Sequence, residues 1–581
     1  MKKLLAEHRI AFLLLTILLL VQSFSADLNN PYRKPISGDA QAYYAYLPAI
    51  FIYQDLDYQF VPEMQQKYYV AASSKSFLKD VNGEKVNKTF PGVSLLYLPF
   101  FAAAHAISLV FGLPADGYAY TYQLLYLIGF WFYFLAGLIF FRKVLLELNF
   151  TPRIVDASLI AITLGTNIFF YTVYDQSVTH IYSFFLVNWS LFLLLRLKKE
   201  FKLRPLALLI SILALIGITR PTNILVIGVL LFFVNDFAFY KALFVQVFRI
   251  KNIFKIIFPS LLILSIPFIL WKLQTGNWIV YSYGEEGFDF TKPEIMNFLF
   301  SYTKGWFIYT PIMLLILIFG FIILFKQNRK QVLIGLAFFG IAIYIFSSWW
   351  CWYYGAGMSQ RVMIDFYILP GFLLAVILQK MSSKKVITVS LISIFVCFNI
   401  AQAYQISKGI LPFGSPTKAQ YWDNFLAFKK RAQVYPQEHW AFVSKNKISL
   451  NPADSMVLKG NTIELENNWC LQTTETDEYS AVVRIPEQHY KKGNKLILTF
   501  EARAKSDVEK TRLVIHFNNF EDQVFFLKDY ISEGWQTMQY LIEINTTCSS
   551  SVELYLWNAG SKERVDLKNL SWELYYSEEY F

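Results

Sequence analysis

The chain has 581 residues, of which 55% are hydrophobic, 18% aromatic and only 16% charged, and its mean hydropathy is +0.38. These proportions exclude an ordinary soluble domain, and the long unbroken apolar runs exclude a membrane β-barrel, whose strands alternate polar and apolar residues. The formal net charge of +11 comes largely from lysines and arginines between the apolar runs, so it indicates cytoplasmic loops and not nucleic-acid binding.

The first apolar segment follows a basic start, "MKKLLAEHRIAFLLLTILLLVQSFSA". A cleaved signal peptide and an uncleaved first helix both fit this pattern; we favour the helix, and both interpretations put the next segment outside. With their flanks, such runs approach the roughly 20 residues that cross a bilayer. The predicted spans are 9–25, 118–141, 154–174, 178–195, 205–219, 221–240, 256–274, 307–325, 331–349, 364–379 and 386–403.

Basic residues follow every second predicted span, which predicts that those loops face the cytoplasm. The apolar stretch "PGVSLLYLPFFAAAHAISLVFG" at 91–112 would reverse this order if it crossed the membrane. We therefore predict that it lies in the interface or re-enters, as buried non-spanning segments do. The result is a polytopic α-helical protein with about 11 transmembrane helices, the N-terminus in the cytoplasm and the C-terminus outside; twelve spans are the alternative.

The first predicted external loop, residues 26–117, contains a lone carboxylate, Asp39, in "ISGDAQAYYAYLPA". A carboxylate among aromatic residues, partly shielded from water, suits a general base that takes a proton from a hydroxyl. The alternative is that Asp39 only caps the helix that begins at "AQAYYAYL".

The second predicted external loop is the short turn "YDQSVTH", which contains Asp175 and His180. Asp175 suits the positioning of an acceptor, metal binding or a share in the base role, and His180 suits donation to a phosphate oxygen. The alternatives are that Asp175 caps the next helix and that His180 is an ordinary hydrogen-bonded polar residue.

Three cations lie in the remaining predicted external loops, against the usual bias of positive charge toward the cytoplasm. Arg220 lies in "TRPTN", Lys304 begins "KGWFIYTP", and Arg361 ends "SSWWCWYYGAGMSQR". Because arginine binds phosphate with two parallel hydrogen bonds, these loops are candidates for an anion site. The alternative is that the side chains reach toward lipid headgroups.

From about residue 404 the apolar runs give way to short alternating stretches such as "KLILTFEARA" and "SVELYLW". They predict an all-β sandwich or jelly roll at 441–581, outside the membrane, after a linker at 406–440. Cys470 and Cys548 could pair there if the domain is exported. Three tryptophans could stack on sugars, although core packing is the simpler role for each: Trp535, Trp557 and Trp572.

In this order the segments of residues 1–405 resemble the GT-C superfamily of membrane glycosyltransferases, which includes protein O-mannosyltransferases and the aminoarabinose transferase of lipid A. The resemblance rests on "SGDAQAYYAYLP", "KTFPGVSLLYLPF", "YDQSVTHIYSFF", "TRPTN", "KGWFIYTP" and "WWCWYYGAGMSQR". Several relatives carry paired acidic residues in the first loop. Here Ala40 follows Asp39, so the use of a divalent metal ion stays open.

The resemblance implies an inverting transfer of a hexosyl or pentosyl group from a polyprenyl-phosphate sugar. The acceptor would be a glycan, a lipid or a protein at the periplasmic face of a bacterial inner membrane, and no nucleic acid would be involved. By position, Asp39 would be the catalytic base and Asp175 the second catalytic acidic residue. The implied ligands of the donor phosphate are Arg220, Arg361, His180 and Lys304. The C-terminal domain looks like a carbohydrate-binding module.

Three other functions stay open from the sequence. A transporter or flippase for lipid-linked sugars usually shows internal repeats, and no clear repeat is visible here. An inactive scaffold that binds a glycan would not need Asp39 and Asp175. An O-antigen ligase or polymerase, which transfers a whole glycan, is difficult to separate by sequence.

Overall fold

The computed structural model describes residues 6–25, 34–69, 77–81, 83–284, 286–412, 416 and 418–428, together with strands between 444 and 575. The chain divides into two compact units, Met1–Phe428 and Lys429–Phe581. The division falls inside the predicted linker at 406–440. The domain roles predicted on either side of it stay predictions.

The first unit is built almost entirely of helices. Its α-helices are Arg9–Ser25, Asp39–Pro48, Val61–Tyr68, Gly92–Val110, Tyr120–Glu147, Pro152–Leu164, Ile168–Val173, His180–Lys199, Leu203–Thr219, Val226–Phe233, Phe237–Val247, Ile250–Thr275, Ile295–Phe300, Trp306–Tyr309, Pro311–Phe325, Arg329–Ser347, Ile368–Lys380, Lys385–Ser407 and Lys418–Asp423. Single-turn 3₁₀ or π segments are Ala49–Tyr53, Pro221–Leu225 and Arg361–Phe366, and one hairpin pairs Leu78–Val81 with Glu84–Asn87.

Six helices among the described residues are long and apolar enough to cross a membrane. They are Gly92–Val110, Tyr120–Glu147, His180–Lys199, Ile250–Thr275, Arg329–Ser347 and Val386–Ser407. The protein is therefore helical and membrane-embedded, as its composition predicted. The count of about 11 spans stays a prediction, because several predicted spans correspond to shorter apolar helices.

The helix His180–Lys199 lies at the centre of the unit. Of its most apolar stretch, 83% is buried inside the protein, against 22% for Ile250–Thr275 and 17% for Val386–Ser407. It runs alongside Tyr120–Glu147, with ring contacts from Phe130–Tyr182 near the start to Phe140–Trp189 further along. The peripheral helices keep their large apolar side chains exposed, as surfaces in contact with lipid do.

Several predicted spans are not continuous α-helices; 307–325, for example, is divided at Thr310 into Trp306–Tyr309 and Pro311–Phe325. The segment 154–174 is broken between Pro152–Leu164 and Ile168–Val173, and 221–240 begins as a 3₁₀ turn and is interrupted again before Phe237. At the first break, Asn167 accepts a hydrogen bond from the Tyr367 hydroxyl at 2.6 Å. Asn399 donates to the carbonyl of Thr166 at 2.8 Å. Buried polar side chains thus satisfy the backbone where the helix stops, which hydropathy averaged over the segment does not reveal.

The helix Gly92–Val110 covers the stretch predicted not to span. Its length and composition would allow crossing. Its hydrogen bonds with the next helix lie in the first half of that helix. His105 Nδ1 is 2.6 Å from the Tyr122 hydroxyl, and the Tyr133 hydroxyl donates to the Leu96 carbonyl at 2.6 Å. These contacts favour a helix that stays on one side of the membrane. That this helix does not span the membrane stays a prediction.

The second unit contains two antiparallel sheets. One has the strand order Gln523–Phe526, Arg512–Phe517, Cys548–Trp557, Val482–Tyr490, Val457–Leu458. The other has the order Gln536–Glu543, Lys495–Ala504, Val565–Tyr575, Asn468–Gln472, Thr462–Leu465, with Ser444–Ser449 also paired to Val565–Tyr575. Alternate residues such as Leu554 and Leu556 are fully buried, as in sheets with one face on a core.

This arrangement provides the two sheets that a sandwich or jelly roll requires. Trp557 is partly buried, and the guanidinium of Arg512 lies 4.8 Å from its ring centre. Trp535 and the side chains of Trp572, Cys470 and Cys548 lie outside the described part of the structure. Sugar stacking and the disulfide therefore stay predictions.

Candidate functional site

The five predicted external loops contact one another. A Cβ atom at Gly38, in the first loop, would lie 3.5 Å from the hydroxyl of Ser177 in the second. Lys88 of the first loop forms an ion pair of 3.1 Å with Glu286 of the fourth. The amide of Asp289 in the fourth loop donates to the carbonyl of Ser348 in the fifth at 2.7 Å. Segments far apart in sequence therefore meet around one site.

Asp39 lies at the start of the helix Asp39–Pro48. Gly38 occupies the N-cap position with φ +53°, and no side-chain capping bond is formed there. The Asp39 carboxylate instead accepts a hydrogen bond from Arg361 Nη2 at 2.7 Å, and the Asp39 side chain stays 45% exposed. The capping alternative is therefore wrong: this carboxylate is held by a cation and is accessible.

Asp175 lies beside this pair in a tight turn. Its Oδ1 accepts hydrogen bonds from the amide and the hydroxyl of Ser177, at 3.1 and 2.5 Å. Burial raises the pKa of Asp175, and the charge of Asp39 acts in the same direction, whereas Ser177 and Arg361 lower it. The two carboxylates and Arg361 are thus close enough to influence one another electrostatically.

Arg361 begins the 3₁₀ turn Arg361–Phe366. Burial alone would lower its pKa, but Asp39, Tyr171, Asp175 and Tyr43 together outweigh burial and the pKa lies above its usual value. The side chain is 16% exposed, so the guanidinium is anchored on one side and reachable on the other. Such a cation suits binding of an anionic group.

Arg220 forms a second cationic position with His180. Arg220 Nη1 donates to Thr179 Oγ1 at 3.3 Å and lies 2.9 Å from His180 Nε2 and 3.4 Å from His180 Nδ1, so the guanidinium lies against the face of the imidazole ring. His180 Nδ1 lies 2.7 Å from Asp365 Oδ1. Because an ionised carboxylate only accepts, the ring proton between these two atoms is on His180 Nδ1. His180 is 1% exposed and supports Arg220. The sequence had instead predicted that His180 donates a hydrogen bond to a phosphate oxygen of the ligand.

Lys304 is placed by a contact between the fourth and fifth loops. It is 1% exposed, and its ammonium donates to the carbonyl of Gly357. Gly357 has φ +128°, and a Cβ atom there would lie 2.5 Å from the Tyr171 hydroxyl, so this position requires glycine. Burial lowers the pKa of Lys304 to about 7, the charge of Arg361 acts in the same direction, and Asp175 opposes them.

Sequence reasoning missed three residues of the site. Asp365 was hidden within the predicted span 364–379, although an acidic residue in an apolar run is itself a signal of function. Tyr43 follows Asp39 by one helical turn; burial raises the pKa of its hydroxyl, Asp39 acts in the same direction, and Arg220 and Arg361 oppose them. Burial likewise raises the pKa of Tyr283 to about 12. Aromatic hydroxyls of this kind carried no sequence signal among 37 tyrosines.

The divalent metal ion that the resemblance left open has no cluster of ligands here. Within the described ranges, no three His, Cys, Asp or Glu side chains are grouped as metal ligands. The Asp39 carboxylate already has Arg361 as its counterion. A divalent cation does not fit this arrangement well, because it would have to compete with that guanidinium.

Comparison with known proteins identifies no family. No family model matches the chain, and no curated protein matches it. Among solved structures, a chain described as "CBM4 structure and function" aligns with 11% identity over 21% of this chain and 77% of that chain, with a TM-score of 0.15. A superposition of that quality supports no argument about fold or function.

Proposed function

We propose that the protein is an inverting glycosyltransferase of the bacterial inner membrane. It moves a hexosyl or pentosyl group from a polyprenyl-phosphate donor to a glycan, lipid or protein acceptor on the outer face. The observation that carries this proposal is the accessible carboxylate of Asp39 held 2.7 Å from Arg361, with Arg220 at a second cationic position. A base beside phosphate-binding cations is what transfer from a glycosyl phosphate requires.

In the proposed reaction, an acceptor hydroxyl gives its proton to Asp39 as its oxygen attacks the anomeric carbon. The bond between that carbon and the phosphate oxygen breaks, and the electron pair leaves with the polyprenyl phosphate. Attack from the face opposite the leaving group inverts the configuration. Arg361 and Arg220 stabilise the negative charge that develops on the phosphate.

Arg361 has two partners in this scheme. Its Nη2 donates to Asp39 in the described structure, so a donor phosphate would compete with the carboxylate for the same guanidinium. Asp175, whose pKa is raised by burial, is the second carboxylate and suits positioning of the acceptor.

The GT-C-like topology, with about eleven spans and a periplasmic second unit, is part of the same proposal. Contacts among the predicted external loops support it. So do contacts at the other end of the helices, where Arg196 pairs with Glu147 at 3.1 Å and Lys330 donates to the Asn235 carbonyl at 3.0 Å. Burial lowers the pKa of His8, and Arg142 adds to this, so the N-terminal helix begins beside the basic loops.

The proposal is tested by glycosyl transfer in purified, detergent-solubilised protein. A panel of radiolabelled decaprenyl-phosphate sugars is offered with a membrane extract as acceptor. Wild type is expected to transfer, and Asp39→Asn to lose roughly 10²- to 10⁴-fold in rate, the usual contribution of a general base. Asp57→Asn, at another carboxylate of the same loop, serves as the matched control and is expected to keep its activity.

Equal transfer by wild type and Asp39→Asn would still support a glycosyltransferase, but it would indicate Asp175 as the general base in place of Asp39. Donor binding without transfer by any variant would contradict the enzyme and favour a flippase. Transfer of whole glycans, with no transfer of single sugars, would favour a ligase.

A further inference from the structure

Asp365 is the most deeply buried carboxylate around the site. Its side chain is fully buried, and Oδ1 lies 2.7 Å from His180 Nδ1. Oδ2 has no hydrogen-bond partner among the described residues and lies 3.9 Å from Arg220 Nε. Such a carboxylate is costly unless a nearby cation compensates for it, and Arg220 is the cation that faces it.

Arg220 uses only part of its guanidinium within the described structure. Its contacts with Thr179 Oγ1 and with the His180 ring are all made by Nη1. Nε is buried and makes no hydrogen bond to a described residue. Nη1 anchors the group at Thr179 and His180, Nε faces Asp365, and Nη2 is left as a donor for another anion.

The element that carries Asp365 also carries Arg361. Both lie in the 3₁₀ turn Arg361–Phe366, with Arg361 at its start bound to Asp39. One short turn thus positions both cationic groups of the site: Arg361 directly, and Arg220 through Asp365 and His180. The charges of Arg220 and Arg361 both act on the hydroxyl of Tyr43, so the two cations face a common space.

We propose that Asp365 is a positioning residue of the donor-phosphate site. Its Oδ1 accepts from His180 Nδ1–H and its Oδ2 faces Arg220 Nε, so it fixes the imidazole ring against which the guanidinium lies and leaves Nη2 for the phosphate. This inference rests on the proposed function for the identity of the ligand, a polyprenyl phosphate. The geometry of Asp365, His180 and Arg220 does not depend on it.

The substitution Asp365→Asn has a specific consequence. The amide nitrogen of the substituted side chain can donate to His180 Nδ1, which moves the ring proton to Nε2. The neutral amide also removes the negative charge that faces Arg220 Nε at 3.9 Å, so the guanidinium loses its counterion. Asp156→Asn is the matched control, because Asp156 also forms a 2.9 Å bond to an arginine, Arg142, but near the basic loops.

The tautomer is measured by ¹⁵N NMR of the full-length protein labelled at histidine, reconstituted in nanodiscs. The chain has only 6 histidines, and loss of one signal in His180→Gln assigns His180. Wild type and Asp156→Asn are expected to show the Nδ1–H form, and Asp365→Asn the Nε2–H form. If Asp365→Asn does not fold, the wild-type spectrum still tests whether His180 has the Nδ1–H tautomer.

Ligand binding is measured on the same samples with decaprenyl phosphate, decaprenol and inorganic phosphate. Asp365→Asn is expected to weaken decaprenyl phosphate binding about tenfold or more, as loss of a charge-assisted hydrogen bond does, with decaprenol binding unchanged. Inorganic phosphate is expected to bind more weakly than decaprenyl phosphate, and its binding is expected to weaken in the same variant.

An Nε2–H form in wild type, or an unchanged tautomer in folded Asp365→Asn, would overturn the positioning role. A switched tautomer with unchanged affinity for decaprenyl phosphate would overturn the link to the phosphate. If wild type shows the Nδ1–H form and does not bind decaprenyl phosphate, the donor class of the proposed function fails together with the ligand named here.

Discussion

At the scale of single residues, opposite charges compensate one another around the site. Arg361 pairs with Asp39, and Arg220 lies against His180 with its Nε 3.9 Å from Asp365 Oδ2. Pairing is required because ionised groups in a dry environment are costly. The ammonium of Lys304 donates to the Gly357 carbonyl, and burial lowers its pKa to about 7, with Arg361 acting in the same direction and Asp175 against it.

The first prediction concerns this lysine. Between pH 7 and about 10 the unfolded chain binds a proton at Lys304 that the folded protein does not, so stability rises with pH, by at most about 1.4 kcal/mol per pH unit. Lys304→Met removes this titration. We expect its Tm to change less than that of wild type between pH 7 and pH 9, as measured by differential scanning fluorimetry. Lys85→Met, at an exposed lysine, is the control, and equal slopes for wild type and Lys304→Met would contradict the prediction.

At the scale of elements, the start of Gly92–Val110 packs directly against the end of Leu203–Thr219. A Cβ atom at Gly92 would lie 2.4 Å from Thr219 Oγ1 and 2.6 Å from the Ile218 carbonyl oxygen. Arg220 follows immediately, so this close approach between two helices also determines where the guanidinium can lie.

The second prediction follows from that contact. Gly92→Ala forces the helices apart because the new methyl group meets backbone atoms, and we expect a loss of about 1–3 kcal/mol in stability. Displacement of Arg220 should weaken decaprenyl phosphate binding in parallel. The stability is measured by denaturation, and the affinity by titration with decaprenyl phosphate. Gly217→Ala, which meets nothing within 4 Å, should be neutral or stabilising by up to about 1 kcal/mol. Equal behaviour of the two variants would show that the contact is unimportant.

At the scale of the whole molecule, the open choice is whether Gly92–Val110 crosses the membrane. The segments that precede and follow this helix each form an ion pair with a residue of a predicted external loop. Lys88 pairs with Glu286, and Asp116, just after the helix, pairs with Lys67 of the first loop at 2.9 Å. Both ends of the helix therefore lie near predicted external loops, which favours a helix that stays on the external side of the membrane.

The third prediction tests this arrangement by cysteine labelling in a variant without native cysteines. Glu84→Cys and Leu113→Cys flank the helix at exposed positions, and a membrane-impermeant maleimide should label both from outside in spheroplasts. Gln327→Cys, in a basic loop, should react only after permeabilisation. Labelling of Glu84→Cys and Leu113→Cys from opposite sides would show that the helix spans, and would support twelve spans.

The amino-acid sequence by itself determined the helical membrane character, the change to β-strands near residue 440 and six residues of the candidate site. These follow from hydropathy and residue type summed over neighbouring positions, which are local properties. It did not reveal the breaks at 165–167 and 234–236. There, buried side chains from other helices or a local change of backbone interrupt an apolar run whose average stays high.

Only the tertiary structure decided which side chains meet. Arg361 reaches Asp39 across 322 positions of the chain, and Asp365 reaches His180 across 185. These pairs decide that Asp39 is not a cap, that His180 supports Arg220, and that Asp365 belongs to the site at all. The physical reason is that charge pairing depends on how distant segments pack, whereas composition and periodicity report only what neighbouring residues share.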